Sequence, residues 1–187
     1  MRIVKQLLQF LNETLDHEKH QQIENCHQLA LNWEPVERLP LVVSFPYPKS
    51  GEIQPFPHGE VFDDPGKMLF NELVHAFGTS IFLYSELLDD LSFTIRANFG
   101  TVVIASLFGG LVEQRGDNPP WIRHFETLDG FKSIFDKDPF DFSQGICPQI
   151  IERYLFYLDV FLTIPTFKSV SKSFCRFFSG HLICPNF

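Results

Sequence analysis

Arg96 and Asn98 are the residues best placed to do chemistry in this sequence. They stand inside an apolar, β-branched run, Phe93-Thr94-Ile95-Arg96-Ala97-Asn98-Phe99-Gly100-Thr101-Val102-Val103-Ile104-Ala105-Ser106-Leu107-Phe108-Gly109. That composition predicts a buried strand. Residues two apart share one face of a strand. A guanidinium on a buried face has to be paired, and its planar fork suits a carboxylate or a phosphate. Two readings follow. In one, Arg96 and Asn98 line a polar pocket and hold an anionic group. In the other, Arg96 satisfies an acidic neighbour such as Asp89 or Asp90 and does no chemistry. Gly100, Gly109 and Gly110 mark places where the chain turns or approaches closely.

Other chemistry-bearing residues are scattered. His58 lies in a long loop, where it serves either as a binding residue or as an ordinary exposed histidine. His17 and His20 are three apart with Glu18 between them, and His27 follows. Lys19 and the glutamine pair beside them give the segment a solvated face. A zinc site needs three or four converging ligands, so no metal site is expected. Ser106 sits in Ala-Ser-Leu-Phe-Gly, which lacks the glycine pattern of a nucleophile elbow. No phosphate-binding glycine loop and no zinc-protease motif occurs. Cys26, Cys147, Cys175 and Cys184 show no Cys-x-x-Cys spacing, which favours reduced thiols in the cytoplasm over a disulfide framework.

The elements that would position these residues read as α/β. Residues 2–31 predict one or two amphipathic helices, with Ile3, Leu7, Leu8, Phe10, Leu11 and Leu15, then Ile23, His27 and Leu31, at three- and four-residue spacing. Arg38–Phe45 predicts a strand buried on both faces. Residues 46–66 are rich in Pro and Gly and predict a loop, and loops of that length often carry function. Lys67–Phe77 predicts a helix with Met68, Leu69, Leu73, Val74 and Phe77 on one side and Gly78 as its stop. Ser80–Leu91 is a second apolar segment ending in Asp89-Asp90. After the Arg96 block, residues 112–115 predict a short edge segment, and Gly116-Asp117-Asn118-Pro119-Pro120 a turn. Thr127 caps a short helix through Phe135. Cys147-Pro148 opens a helix running to Val160, with Ile150, Ile151, Tyr154, Leu155 and Leu158 as its apolar stripe.

The chain has 187 residues and a formal net charge of −8. That balance argues against nucleic acid or an anionic membrane surface as partner. No run of apolar residues is long enough for a transmembrane helix. The start Met1-Arg2-Ile3-Val4-Lys5 is basic, but Gln6, Gln9, Asn12 and Glu13 interrupt any signal core, so a cytoplasmic protein is expected.

Several segments together resemble the uroporphyrinogen decarboxylase-like superfamily, and more narrowly its branch with corrinoid-dependent methyltransferase relatives. They are Ile95-Arg96-Ala97-Asn98-Phe99-Gly100 with Ile104-Ala105-Ser106-Leu107-Phe108-Gly109, then Ala30-Leu31-Asn32-Trp33-Glu34-Pro35-Val36-Glu37-Arg38-Leu39-Pro40-Leu41-Val42, and Phe62-Asp63-Asp64-Pro65-Gly66-Lys67-Met68-Leu69. The resemblance spans residues 26–159. It implies an α/β fold: the N-terminal portion of a (β/α)₈ TIM-type barrel, truncated, because a complete barrel takes roughly 250 residues. The implied organisation is a helical segment over 1–31, a partial barrel over 32–159 and a tail over 160–187. The implied substrate is a small molecule, a tetrapyrrole or a methyl donor, with Arg96, Asn98 and His58 as substrate-binding residues. Decarboxylases of the family resemble one another in using barrel-mouth Arg and Asp residues without a cofactor. In place of their Arg-rich motif, Val43-Ser44-Phe45-Pro46-Tyr47 stands here. A full-length methyltransferase relative implies zinc and a corrinoid, with ligands in the later half of the barrel, so no cofactor is expected in this portion. The expectation is a fragment of such a decarboxylase, inactive as it stands. The alternatives are a fragment of a corrinoid-dependent methyltransferase, or a non-catalytic half-barrel that pairs with another chain.

The tail differs from what precedes it. All 23 Asp and Glu residues lie before residue 160, and Lys168, Lys172 and Arg176 are the only Lys or Arg after it. Codons shifted one base upstream permit Ser-Asp-Tyr-Pro-Asn-Ile-Gln-Lys from Phe161, and Leu-Pro-Ile-Phe-Leu-Gly-Pro-Phe-Asp-Met-Ser-Glu-Leu from Phe174. Helix, turn, strand and Gly-Pro-Phe-Asp resemble the family's next segment. Residues 160–187 therefore read as a frameshift product, with a basic, aromatic terminal strand pair as the other reading.

Overall fold

The structure, a computed structural model, describes residues 2–42, 53–78, 90, 95–136, 138 and 141–164. They fall into two compact units, one drawn from 1–56 and 66–96, the other from 57–65 and 97–187. Each is described by itself.

In the first unit, α1 (Arg2–Thr14) buries Val4, Leu7, Leu8 and Leu11, a stripe at helical spacing. Asp16 then caps α2 (His17–Leu31) by accepting the Lys19 N–H at 3.0 Å. Just past α2, Trp33 stands at φ 58°, a left-handed conformation that only Gly or Asn adopts cheaply. Within α4 (Pro65–Gly78), Met68, Leu69, Leu73, Val74 and Phe77 are buried as the spacing predicts. Asn71 and Glu72 are buried on the same helix.

The predicted strand over 38–45 is not seen in its described part. Residues 39–42 are irregular, and Leu39, Leu41 and Val42 are exposed. The backbone of Leu41 is spent on a single residue: its carbonyl accepts from Asp90 N at 2.8 Å, and its N–H donates to Asp90 Oδ2 at 2.8 Å. Pro40 beside it offers no N–H for a ladder. Residues 43–45, with the Val43–Tyr47 segment, lie outside the described residues, as does 80–91 apart from Asp90.

In the second unit, α3 (His58–Val61) puts one helical turn into the predicted loop. Residues 97–99 belong to no strand, and Val103–Leu107 is a short helix, α5. The predicted strand through 109 is therefore corrected. Gly109, at φ 85°, and Gly110 close α5: Gly109 N donates to Ser106 O and Gly110 N to Ala105 O, each at 3.0 Å. This is the paired pattern of a Schellman stop. The edge segment and turn form a hairpin, β1 (Val112–Glu113) antiparallel to β2 (Trp121–Ile122), with Val112 opposite Ile122. Then come α6 (Leu128–Lys132), a 3₁₀ turn (Ser133–Asp136) and α7 (Cys147–Leu162).

The burial of α7 corrects its predicted stripe. Cys147, Arg153, Tyr157, Val160 and Phe161 are buried, whereas Leu155 is exposed. Val160 and Phe161 complete the helix, so the tail boundary expected at 160 falls within it. Phe161 is 2 % exposed. Residues 165–187 lie outside the described residues. The described residues are mostly helical with one two-stranded sheet and show no barrel. Among them no helix is long and apolar enough to cross a membrane.

Candidate functional site

Glu72 is fixed by the helix that carries it. Its neighbours Leu69, Leu73 and Val74 are core residues of α4, and the Glu72 side chain is 5 % exposed. A carboxylate so placed needs donors to keep its charge. Arg96 supplies two, its backbone N–H at 3.3 Å and its Nε at 3.5 Å, both to Glu72 Oε2. The Arg96 side chain as a whole is 64 % exposed. Arg96 is thus not the buried cation that its apolar surroundings predict; its acidic partner among the described residues is Glu72 rather than Asp90, and Asp89 lies outside the described residues. Among the described residues no hydrogen bond or ion pair from Arg96 Nη1 or Nη2 is seen. The result is a charged fork held at its base and open at its tip.

Burial alternates along 95–99, with Ile95, Ala97 and Phe99 buried, Arg96 exposed and Asn98 half-buried. The two-residue spacing therefore identifies which side chains share a face, while the predicted burial of that face fails for Arg96. The Asn98 Oδ1 accepts the Gly100 N–H at 3.3 Å, a local turn contact. His58 begins α3 and is exposed. The next residue, Gly59, donates its N–H to Asp117 Oδ1 at 3.2 Å. Asn98 and His58 belong to the second unit and Arg96 to the first.

A second polar cluster in the first unit escaped sequence reasoning. Asp90 is buried, and Arg38 grips its carboxylate with both Nη atoms, Nη2 to Oδ1 at 2.7 Å. With the Leu41 N–H, these contacts hold the Asp90 carboxyl down to about 2, against the opposing effect of burial. The pairing raises the Arg38 guanidinium further. His27 Nε2 lies 2.6 Å from the Asp90 carbonyl oxygen and must donate to it, because a carbonyl only accepts. Both Nη atoms of Arg38, the Leu41 N–H and His27 Nε2 are directed at Asp90, so the cluster ties residues 38–41 to α2. The Asp89-Asp90 pair was the only signal for it in the sequence.

The hydroxyl of Ser106 is committed as well. It donates to Val103 O at 2.7 Å and accepts from Ile146 N at 3.2 Å. Burial raises the Cys147 thiol, which disfavours the thiolate. His20 pairs with Glu24 at 3.4 Å, and among the described residues no group of three or more metal-ligating side chains converges. In the first unit a cavity of ≈ 510 Å³ is lined by Ile3, Gln6 and Phe10 of α1 with Ile53, Gln54 and Phe70. Neither Arg96 nor Asp90 borders it. Compared with protein-family models, with characterised proteins and with solved structures, the chain matches none.

Proposed function

We propose that residues 26–159 are the N-terminal portion of a uroporphyrinogen decarboxylase-like enzyme, in which Arg96 receives a carboxylate of the substrate. The supporting observation is the Glu72–Arg96 pair. A buried carboxylate orients the guanidinium through Nε, and the exposed Nη donors remain for an incoming oxyanion. The block that carries the family resemblance, Ile95–Gly100, is the block that carries Arg96. The 187 residues by themselves bind and do not turn substrate over. Barrel-mouth sites draw on the ends of several strands, and none of those strands occurs among the described residues.

Titrating the purified chain with uroporphyrin, followed by porphyrin fluorescence, tests this reading. Saturable binding is expected, weakened in Arg96→Ala by about 5–30-fold, the equivalent of about 1–2 kcal/mol for one charge-assisted contact at an exposed position. Unaltered affinity in a variant with a native circular dichroism spectrum contradicts it, as does the absence of saturable binding.

A further inference from the structure

Arg153 carries a charge with no carboxylate partner among the described residues. Arg38, Arg96, Arg115 and Arg123 are all largely exposed, and each meets an acidic side chain. Arg153 is 8 % exposed, and no described acidic residue pairs with it. It stands on the buried face of α7, four residues before Tyr157 and seven before Val160. Nη2 donates to the Phe62 carbonyl oxygen, and the guanidinium carbon lies 6.0 Å from the centre of the Phe99 ring. Nε is buried with no acceptor.

The distribution of partners is the reverse of what solvation requires. Exposed arginines are solvated by water and gain little from an ion pair. A buried guanidinium loses that water, and unlike lysine or histidine it does not shed its proton. One carbonyl dipole and one ring face offset part of the loss, but neither supplies the missing counter-charge. The remaining donors form the fork that fits an oxyanion.

We propose that Arg153 anchors an oxyanion-binding site in the second unit, one that takes the carboxylate or phosphate group of a small ligand. The Phe62 carbonyl fixes the rotation of the guanidinium, and Phe99 lies against it. The site is independent of the Arg96 reading, because it uses other residues in the other unit.

The test uses the full chain. Thermal melts are recorded with increasing sodium phosphate or sodium benzoate, against sodium chloride at equal ionic strength. A saturable rise of about 5 °C is expected near a hundredfold excess over Kd. A response to phosphate alone identifies a phosphate ligand, and a response to benzoate alone a carboxylate. Arg153→Gln abolishes the rise and Arg115→Gln, at an exposed arginine, keeps it. No rise beyond the chloride control, or an equal rise in Arg153→Gln, overturns the proposal. Should Arg153→Gln fail to fold, arginine-labelled wild-type chain is titrated and its slowly exchanging Nε–H resonance followed. A saturable shift with the effective anion supports the site, and a resonance that does not move overturns it.

Discussion

Asp90 shows how one residue organises a segment with no ladder of its own. Its carboxylate takes both Nη atoms of Arg38 and the Leu41 N–H, and its backbone pairs with Leu41 and His27. Its folded pKa, about 2, is below the ordinary 3.8. The stability it contributes is therefore complete above pH 3.8 and is lost as the pH falls toward 2. In urea melts across that window, the wild-type midpoint should fall more steeply than that of Asp90→Asn. Parallel curves would show that the carboxylate charge does not matter. Ser106 and Gly145 form a second residue-scale device. Gly145 has φ 60°, and a Cβ there would lie 2.5 Å from Ser106 Oγ. Gly145→Ala should cost about 2–4 kcal/mol, from left-handed strain and overpacking together. Ser106→Ala should cost about 1–3 kcal/mol by orphaning the buried Ile146 N–H. Midpoints within error of wild type for either variant would remove it from the packing account. The pairing of Arg96 with an acid was legible from its surroundings. That the acid is Glu72 was not, because no sequence pattern brings position 72 to position 96.

Among the elements, legibility depended on which residues the periodicity counted. In α4 the five predicted positions Met68, Leu69, Leu73, Val74 and Phe77 are all apolar and buried, and spacing identifies them while passing over the buried Asn71 and Glu72. The edge segment and the turn after it were legible because Gly116, Asn118 and two prolines leave only a turn there; the returning strand Trp121–Ile122 was not, since two residues are too few to show an alternation. In α7 the buried face includes Arg153 and Cys147, residues that an apolar count passes over, so the count settled on a neighbouring face with Leu155. In α5 five residues are too few to show a period, and Gly109-Gly110 reads equally as the end of a strand or the stop of a helix. Hydrogen bonds to Ser106 O and Ala105 O decide for the helix. The corrected phase of α7 has a measurable consequence. Phe161→Ala should cost about 3–5 kcal/mol, as for a buried aromatic truncated in a core, and Leu155→Ala less than about 0.5 kcal/mol. The opposite ranking in urea melts would restore the predicted stripe.

For the whole molecule, the barrel expectation came from resemblance, and the described residues neither pair into parallel strands nor enclose a site. The predicted first strand runs into residues outside the described set, and the described part of the second is divided between irregular chain and α5. The composition break after Asp159 was plain in the sequence. Its structural edge was not, because Val160 and Phe161 still fill α7. On the frameshift reading, removing residues 165–187 should change stability by less than about 0.5 kcal/mol. A cut after Asp159 should be severe, since each buried side chain lost is worth about 1.5–3 kcal/mol. A sharp loss from the shorter deletion would make the tail a native part of the fold, and resequencing codons 155–187 would then show no shift. The central claim is that an oriented Arg96 reads carboxylates on a tetrapyrrole. Its most direct test compares uroporphyrin with its methyl ester in equilibrium titrations of wild-type chain and Arg96→Ala. Carboxylate recognition predicts that the free acid binds saturably, that the ester does not, and that Arg96→Ala weakens only the acid. Equal binding of acid and ester, or an affinity indifferent to Arg96, would contradict it.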